Sequence, residues 1–270
     1  MITVITIAGV TTVQDGGRAG HMHEGVPPGG ALVPELLARA NAAVGNADDD
    51  AGLEVFGAIA IAGRRGTLVA SDDGIPRELA EPGRGAPWRV ACDGARVRYV
   101  AVRGGIDVPS VLGGRGTLLG AGLGGLEGRA LQAGDVLRAG TGPAVPHRPV
   151  LPFDLGAPVR VVLGPDLDRF PTAAVEALLA GVFVVDARSD RVGTRLLGPT
   201  IPRANDPPDA PSSPMVRGAI QLPPSGGPIV LGPDHPTTGG YPVLATVVRS
   251  CLGSLAGRPV GAEVRFLTAP

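Results

Sequence analysis

Polar and ionisable side chains crowd a short string near the carboxyl end of the chain, DHPTTGGYP at 234–242. It combines a carboxylate, an imidazole, two hydroxyls and a phenol with a Gly-Gly pair. Its prolines and glycines disfavour a helix, and its polarity does not suit a buried strand. Such a string is typical of a turn whose backbone approaches a ligand while its side chains contact it.

A second polar stretch, TTVQDGGRAGHMHEGVP at 11–27, lies near the amino end. It supplies an amide, a carboxylate, a guanidinium and two imidazoles, from Gln14, Asp15, Arg18, His21 and His23. The two histidines would share one face of a strand, but no third metal ligand stands at a recognisable spacing. A metal site and a turn held by an Arg18–Asp15 pair are both conceivable. We favour a loop that contacts substrate, and we predict no metal.

Two further stretches are rich in glycine or in paired charges. The spacing Gly120-Ala-Gly122-Leu-Gly124 lies within 103–135, but no helix follows it, as a dinucleotide-binding fold would require. We therefore predict glycine-rich hairpins whose N–H groups could hold an anion. In RSDRVGTRLLGP at 188–199, two arginines flank Asp190 and should keep it ionised, which is more typical of a structural cluster than of a catalytic one.

The composition excludes several classes of protein. The net charge of −1 gives no basic face for nucleic acid, and no apolar run is long enough to cross a membrane. The chain has no lysine, so it cannot carry a Walker A lysine, a pyridoxal-phosphate Schiff base or a biotinylated lysine. Two cysteines in no metal spacing, and a first segment with the pattern of a strand, favour a cytoplasmic protein.

Apolar residues alternate with polar ones in six segments, each bounded by Gly, Pro or Asp, which predicts the strands that position these polar stretches. The segments are 2–7, 53–61, 96–102, 158–163, 228–232 and 263–267. Helical periodicity is convincing only at 34–44 and 171–180. With about fifteen strands and two short helices, the fold class is mainly β, closed into barrels or sandwiches.

Two β-rich lobes are predicted, at 1–150 and 151–270, and these lobes could interleave. The boundary rests on a proline-rich stretch at 140–157 that has almost no periodicity. A second proline-rich stretch at 202–214 predicts an exposed loop inside the second lobe.

Eight strings along the chain, taken in order, resemble one family. They are TTVQDGGRAG, HEGVPPGGA, LARANAAVGNADDDAGLEV, RGGIDVPSVLGGRGT, GGLEGRALQAGD, SDRVGTRLLGP, GAIQLPP and TTGGYPVLATV. The chain is identified as a member of the family of the 5-oxoprolinase C-type subunit, also called allophanate hydrolase subunit 2. This family is similar to part of the carboxyltransferase domain of urea carboxylase. The resemblance implies two cyclophilin-like β-barrel lobes with a few short helices.

The resemblance also implies an activity and partners. With a kinase-inhibitor-like B-type subunit and an A-type subunit, the chain would hydrolyse the lactam of 5-oxoproline to glutamate, using ATP with magnesium. We expect it to be inactive alone. Two alternatives stay open: a biotin-dependent carboxyltransferase subunit, and a non-catalytic regulatory partner of the B-type subunit. In the carboxyltransferase case, another protein would have to supply the biotin, because this chain has no lysine.

The implied chemistry assigns roles to the polar residues. Arg18 and Gln14, with backbone amides of the glycine-rich stretch, would hold an oxyanion or phosphate, and His23 or Asp15 would act as the base. We take Asp15, Arg18 and His23 as catalytic. The residues expected to bind substrate are Gln14, Asp190, Arg191, Gln221, Asp234, Thr237, Thr238 and Tyr241.

The chain departs from the family pattern at four positions, where polar groups or a small aromatic residue are expected. Gly29 replaces a hydroxyl residue, Val33 an acid and Pro236 a glutamine, and His21 stands where a small aromatic residue is usual. The first three changes remove hydrogen-bonding groups, so they put the family's usual substrate in question.

Overall fold

The computed structural model describes residues 1–142, 153–203 and 212–270. In this part of the chain the protein is mainly β, with 18 strands and three α-helices, which confirms the predicted fold class. The predicted linker at 140–157 and loop at 202–214 fall largely on residues outside the described ranges, as does the lobe boundary predicted at residue 150. None of the described helices has both the length and the apolar character needed to span a bilayer.

The chain divides into two compact units. Unit 1 comprises Met1–Ala19 and Gly29–Phe153, and unit 2 comprises Gly20–Pro28 and Asp154–Pro270. The segment Gly20–Pro28 thus belongs to unit 2, although the residues on both sides of it belong to unit 1.

Unit 1 is an antiparallel sheet with one helix. Its elements are β1 Ile2–Gln14, α1 Pro34–Val44, β2 Gly52–Gly63, β3 Leu68–Ser71, β4 Pro76–Glu78, β5 Trp88–Ala91, β6 Arg98–Val102, β7 Ile106–Asp107 and β8 Val136–Ala139. The strands are ordered β4-β3-β6-β2-β1-β8-β7, and β5 pairs with β2 beyond the β6 pairing. Alternate side chains such as Ile2, Leu53, Ile61 and Val100 are fully buried in its core.

Helix α1 begins and ends as the sequence predicts. Pro34 occupies its first turn, where a missing N–H costs nothing, and Gly45 takes the left-handed conformation (φ 77°) that ends the helix. The N–H of Val33 donates to the phenol oxygen of Tyr99 (2.8 Å), which donates in turn to Glu54 Oε2 (2.6 Å). This buried network fixes the start of the helix against the sheet.

Unit 2 is built around a second eight-stranded sheet. Its elements are β9 Val159–Leu163, α2 Thr172–Ala180, β10 Phe183–Val185, β11 Gly193–Leu197, β12 Ser213–Pro214, β13 Ala219–Gln221, β14 Ile229–Leu231, β15 Thr238–Gly239, β16 Val243–Val247, α3 Leu252–Ala256, β17 Glu263–Val264 and β18 Phe266–Thr268. Strands β12 and β15 form a separate pair.

The sheet of unit 2 is a nearly closed barrel, whereas unit 1 forms a half-barrel. Its strand order is β17-β10-β11-β14-β13-β16-β9-β18, so β17 and β18, which are neighbours in the chain, lie at opposite ends of the order. The rings of Phe183 and Phe266 pack in its core with centroids 5.8 Å apart. Near-closure leaves few strand edges unpaired.

Several elements differ from the sequence prediction. The predicted strand at 2–7 continues to Gln14, because β2 pairs with β1 along its whole length. Helix α3 was not predicted, since its five residues are too few to show helical periodicity. The structure has more strands than the predicted number of about fifteen, because two-residue strands show no period at all.

Candidate functional site

The first polar stretch of unit 1 follows the end of β1, where Asp15 joins two loops. Asp15 Oδ1 accepts the N–H of Gly17 (2.8 Å), and Oδ2 accepts the N–H of Arg115 (2.5 Å). Asp15 is buried, with only 8% of its surface exposed. The Asp15 carboxylate therefore links the loop after β1 to the glycine-rich stretch through hydrogen bonds.

Arg18 makes a second link to the same stretch. It is 3% exposed, and its guanidinium donates to the carbonyl oxygens of Val111 and Gly116. The direct Arg18–Asp15 pair considered from the sequence is not formed in the described structure. Instead, each residue bonds separately to backbone between residues 111 and 116, because that stretch folds back over the end of β1.

Gln14 leaves one polar atom without a partner. Its Nε2 donates to Thr12 Oγ1 (3.1 Å) and to the carbonyl of Thr117 (2.9 Å), but Oε1 is buried and has no partner among the described residues. The hydroxyl of Thr117, which the sequence prediction missed, is buried and unpartnered in the same way. No sequence signal marks this threonine beyond its place between two glycine-containing turns.

The glycines of this stretch allow close packing of loop on loop. A Cβ on Gly116 would lie 2.8 Å from both Asp15 Oδ1 and Gln14 Oε1, and a Cβ on Gly124 would lie 2.1 Å from the carbonyl oxygen of Gly116. Short antiparallel bridges such as Leu118↔Leu123 form the tight hairpins that the sequence predicts. The first spaced glycine, Gly120, lies within a short 3-10 turn, Leu119–Ala121. No helix follows Gly122 and Gly124 before β8 in this described stretch, so it lacks the geometry of a dinucleotide-binding loop.

In unit 2, the charged residues Arg188, Asp190 and Arg191 each bond to a different partner. Arg188 pairs with Asp186 (2.5 Å), and this hydrogen-bonded guanidinium, with the Arg188 N–H, holds the pKa of Asp186 below its ordinary value. Arg191 instead donates two hydrogen bonds, of 2.7 and 2.8 Å, to the carboxylate of Asp234, and both side chains are 9% exposed. Asp190 accepts the N–H groups of residues 192 and 193, which fixes the turn.

The bidentate Arg191–Asp234 pair anchors the start of the DHPTTGGYP string, and His235 follows it inside the protein. His235 is fully buried, and its Nδ1 lies 2.8 Å from the carbonyl oxygen of Pro236. Since a carbonyl only accepts, Nδ1 carries the proton and Nε2 keeps a lone pair, for which the described residues offer no partner. Burial lowers the pKa of His235, so the imidazole is held neutral. The sequence prediction did not select this residue.

The rest of the string turns towards solvent. Thr238 is exposed within β15, Thr237 is half-buried, and Tyr241 is 47% exposed. Gln221 is buried beneath them and donates to the carbonyl oxygen of Tyr241 (3.3 Å). Of these predicted substrate-binding residues, Thr238 and Tyr241 are exposed to solvent, while Gln221 supports the turn.

His23 lies in a 3-10 turn, Met22–Glu24, and His21 is the N-cap residue of that turn. Neither histidine lies on a strand, so they do not share a strand face as considered from the sequence. His21 Nδ1 lies 2.5 Å from Glu24 Oε2, and this hydrogen bond lowers the pKa of Glu24. His23 is exposed. In the described ranges no group of three His, Cys, Asp or Glu side chains is arranged to hold a metal ion.

Residues 80–268 match the carboxyltransferase domain family, subdomain A and B. The chain belongs to this family. Among carboxyltransferase-domain proteins, it is 33% identical to the C-type subunit of 5-oxoprolinase from Escherichia coli (strain K12), over 99% of this chain and 91% of that protein. It is 30% identical to the urea amidolyase of Lachancea kluyveri, over 95% of this chain but only 16% of that protein.

Solved structures of the carboxyltransferase-domain family share the fold. The Kluyveromyces lactis urea carboxylase superposes with a TM-score of 0.88 at 26% identity, over 100% of this chain and 27% of that chain. The family resemblance seen in the sequence is therefore confirmed. The chain spans most of the bacterial 5-oxoprolinase protein, whereas it corresponds to a small part of the urea-converting proteins.

Proposed function

We propose that the chain is a subunit of a cytoplasmic, ATP-dependent 5-oxoprolinase, which opens the lactam of 5-oxoproline to L-glutamate together with B-type and A-type subunits. The observation that carries this proposal is the nearly end-to-end match to the C-type subunits of two bacterial 5-oxoprolinases. The match to urea amidolyase is comparable over this chain but leaves most of that protein unaccounted for.

The reaction needs an activated carbonyl, a base and groups that orient the ring. ATP with magnesium would supply activation, by phosphorylating the lactam oxygen and making it a good leaving group. His23 is proposed as the base for water, because its imidazole is exposed. Thr238 and Tyr241 are proposed to orient substrate through their exposed hydroxyls.

For Asp15 and Arg18 we propose a positioning role. Asp15 accepts the N–H groups of Gly17 and Arg115, and Arg18 donates to the carbonyl oxygens of Val111 and Gly116, so both residues hold the glycine-rich stretch in place. Gln14 Oε1 and Thr117 Oγ1 are the unpartnered polar atoms beside that stretch. A buried polar atom without a partner is costly unless something satisfies it, so we propose that a bound water molecule satisfies these two atoms in the folded protein.

The test is co-expression of this chain with the B-type and A-type subunits. We expect 5-oxoproline-dependent ATP hydrolysis with release of glutamate. Tyr241→Phe and His23→Gln should each lower kcat/KM, the second by about 100-fold, since the first removes a hydroxyl that orients the substrate and the second removes the proposed base. Thr238→Val should also lower it, whereas Thr200→Val, at another exposed threonine of unit 2, should leave it unchanged.

A stable complex without turnover would reject the hydrolase function and favour a regulatory partner. The departures from the family pattern bear on that alternative. Gly29 and Val33 have no polar side chain to offer a ligand. The structure also suits these residues, because Gly29 has φ 61°, a conformation that favours glycine, and Val33 is fully buried.

The second candidate is a biotin-dependent carboxyltransferase subunit, which the urea amidolyase and urea carboxylase relatives support. The carrier would have to be another protein, because this chain has no lysine to biotinylate. Carboxyl transfer from an added biotin carrier protein, without 5-oxoprolinase activity in the assembled complex, would favour it.

A further inference from the structure

A cavity of about 510 Å³ opens on unit 1, between strands β7 and β8 and the glycine-rich stretch. Its apolar wall includes Val108, Leu126 and Val136, and its polar wall includes Asp107, Arg115 and Arg138. None of these residues has a role in the proposed reaction. The volume lies in the range of about 300–1,000 Å³ that is usual for small-molecule sites.

The charge on the polar wall is positive. Arg115 lies 3.5 Å from Asp107, a long pair between two substantially exposed side chains, and such pairs are weak. Arg138 stands opposite Asp107 in the β7–β8 register, yet its guanidinium forms no ion pair or hydrogen bond with the described residues. The wall thus presents two guanidinium groups against one carboxylate, and one of the two is unengaged.

The wall is also fixed in place by backbone contacts. The N–H of Arg115 donates to Asp15, its carbonyl oxygen accepts the N–H of Gly125 (2.7 Å), and its guanidinium donates to the carbonyl of Val108. Arg138 lies within strand β8, whose neighbour Leu137 is buried in the core. The backbone of the wall is therefore fixed before a ligand binds, and the Arg138 side chain is the part that binding would order.

We propose that this cavity binds a small carboxylate with a compact apolar body. Arg138 would be the ionic contact, because a guanidinium matches the two oxygens of a carboxylate. Val108, Leu126 and Val136 would cover the apolar part, which inorganic phosphate does not have. The inference rests on the cavity alone and holds whether or not the chain belongs to an oxoprolinase.

The test is a titration of the isotope-labelled full chain, followed by NMR. The probes are benzoate and 5-oxoproline, each compared with its neutral amide. We expect saturable shifts at the amides of residues 136–138 and at the Arg138 side chain with at least one carboxylate, and none with the amides. Arg138→Gln should weaken binding about tenfold or more, since it removes a charge-assisted hydrogen bond.

Two further variants keep the result interpretable. Arg138→Lys keeps the charge but not the bidentate geometry, so it should bind with an affinity between those of the original protein and Arg138→Gln. Arg89→Gln, at an exposed arginine of β5 outside the cavity, should bind as the original protein does. The proposal is wrong if neither carboxylate gives saturable shifts at these residues, if Arg138→Gln binds equally well, or if inorganic phosphate shifts the same residues as strongly.

Discussion

The imidazole of His235 is fully enclosed although it lies in one of the most polar strings of the chain. Its Nδ1–H is used by the Pro236 carbonyl, and the charged form is disfavoured because burial removes water from it. The residue therefore holds the turn in its neutral form, beneath the exposed Thr238 and Tyr241.

This enclosure predicts a pH dependence of stability. The pKa of His235 is lowered in the folded protein, so below about pH 6.5 the unfolded chain binds a proton that the folded chain does not. The free energy of unfolding should fall as the pH drops from about 6.5 through the lowered pKa. His235→Asn, which can still donate to the carbonyl, should remove this part of the slope.

Urea denaturation between about pH 5 and 7.5 would measure the effect. His23→Asn, at an exposed histidine, is the matched control and should keep the slope of the original protein. An unchanged slope in His235→Asn would show that another group titrates.

Cys92 should react slowly with thiol reagents. Its sulfur accepts the N–H of Gly57 and donates to the carbonyl of Val55, and burial raises the pKa of the thiol. In a Cys251→Ser background, Cys92 should react with a disulfide reagent at pH 8 more slowly than a free model thiol. If Cys92 of the folded protein reacted as fast as the model thiol, the half-buried, hydrogen-bonded geometry would be contradicted.

At the scale of elements, the glycine-rich stretch is held to the end of β1 by hydrogen bonds and by close packing. Gly116→Ala should therefore destabilise the protein by about 1–3 kcal/mol, because the added methyl would press on Asp15 and Gln14. Gly120→Ala is the matched control in the same stretch, since a Cβ there meets nothing within 4 Å. Thermal or urea unfolding of both variants measures the difference, and equal stabilities would refute the packing argument.

The sequence predicts elements well where local signals suffice. Helix α1 is bounded by Pro34 and Gly45, and both signals act within a few residues of the helix ends. Contacts between distant segments are different: the acceptors of Arg18 are backbone carbonyls far along the chain, and a carbonyl has no side-chain identity to read. Residue type could thus single out Gln14, Asp15 and Arg18 as candidates, but it could not show that Asp15 and Arg18 hold the glycine-rich stretch through backbone hydrogen bonds.

At the scale of the whole molecule, unit 2 includes a segment, Gly20–Pro28, that comes long before the rest of the unit in the chain. A fragment of residues 154–270 lacks that segment, so we expect it to unfold at lower urea concentration than the same fragment with residues 20–28 attached through a flexible linker. A scrambled 20–28 sequence on the same linker is the control. If all three fragments unfold together, the segment contributes nothing to the stability of unit 2.

Because the chain enters unit 2 at Gly20–Pro28 and then returns to unit 1, the two units cannot be separated by a single cut in the gene. A recombination breakpoint between the two units would give one product that carries unit 1 with segment Gly20–Pro28 but without the rest of unit 2. The other product would carry residues 154–270 without that segment. Gene fusion at the ends of the chain has no such penalty. The sequence should therefore travel between genes as a single cassette, spliced whole into longer polypeptides, as the far longer urea-converting relatives illustrate.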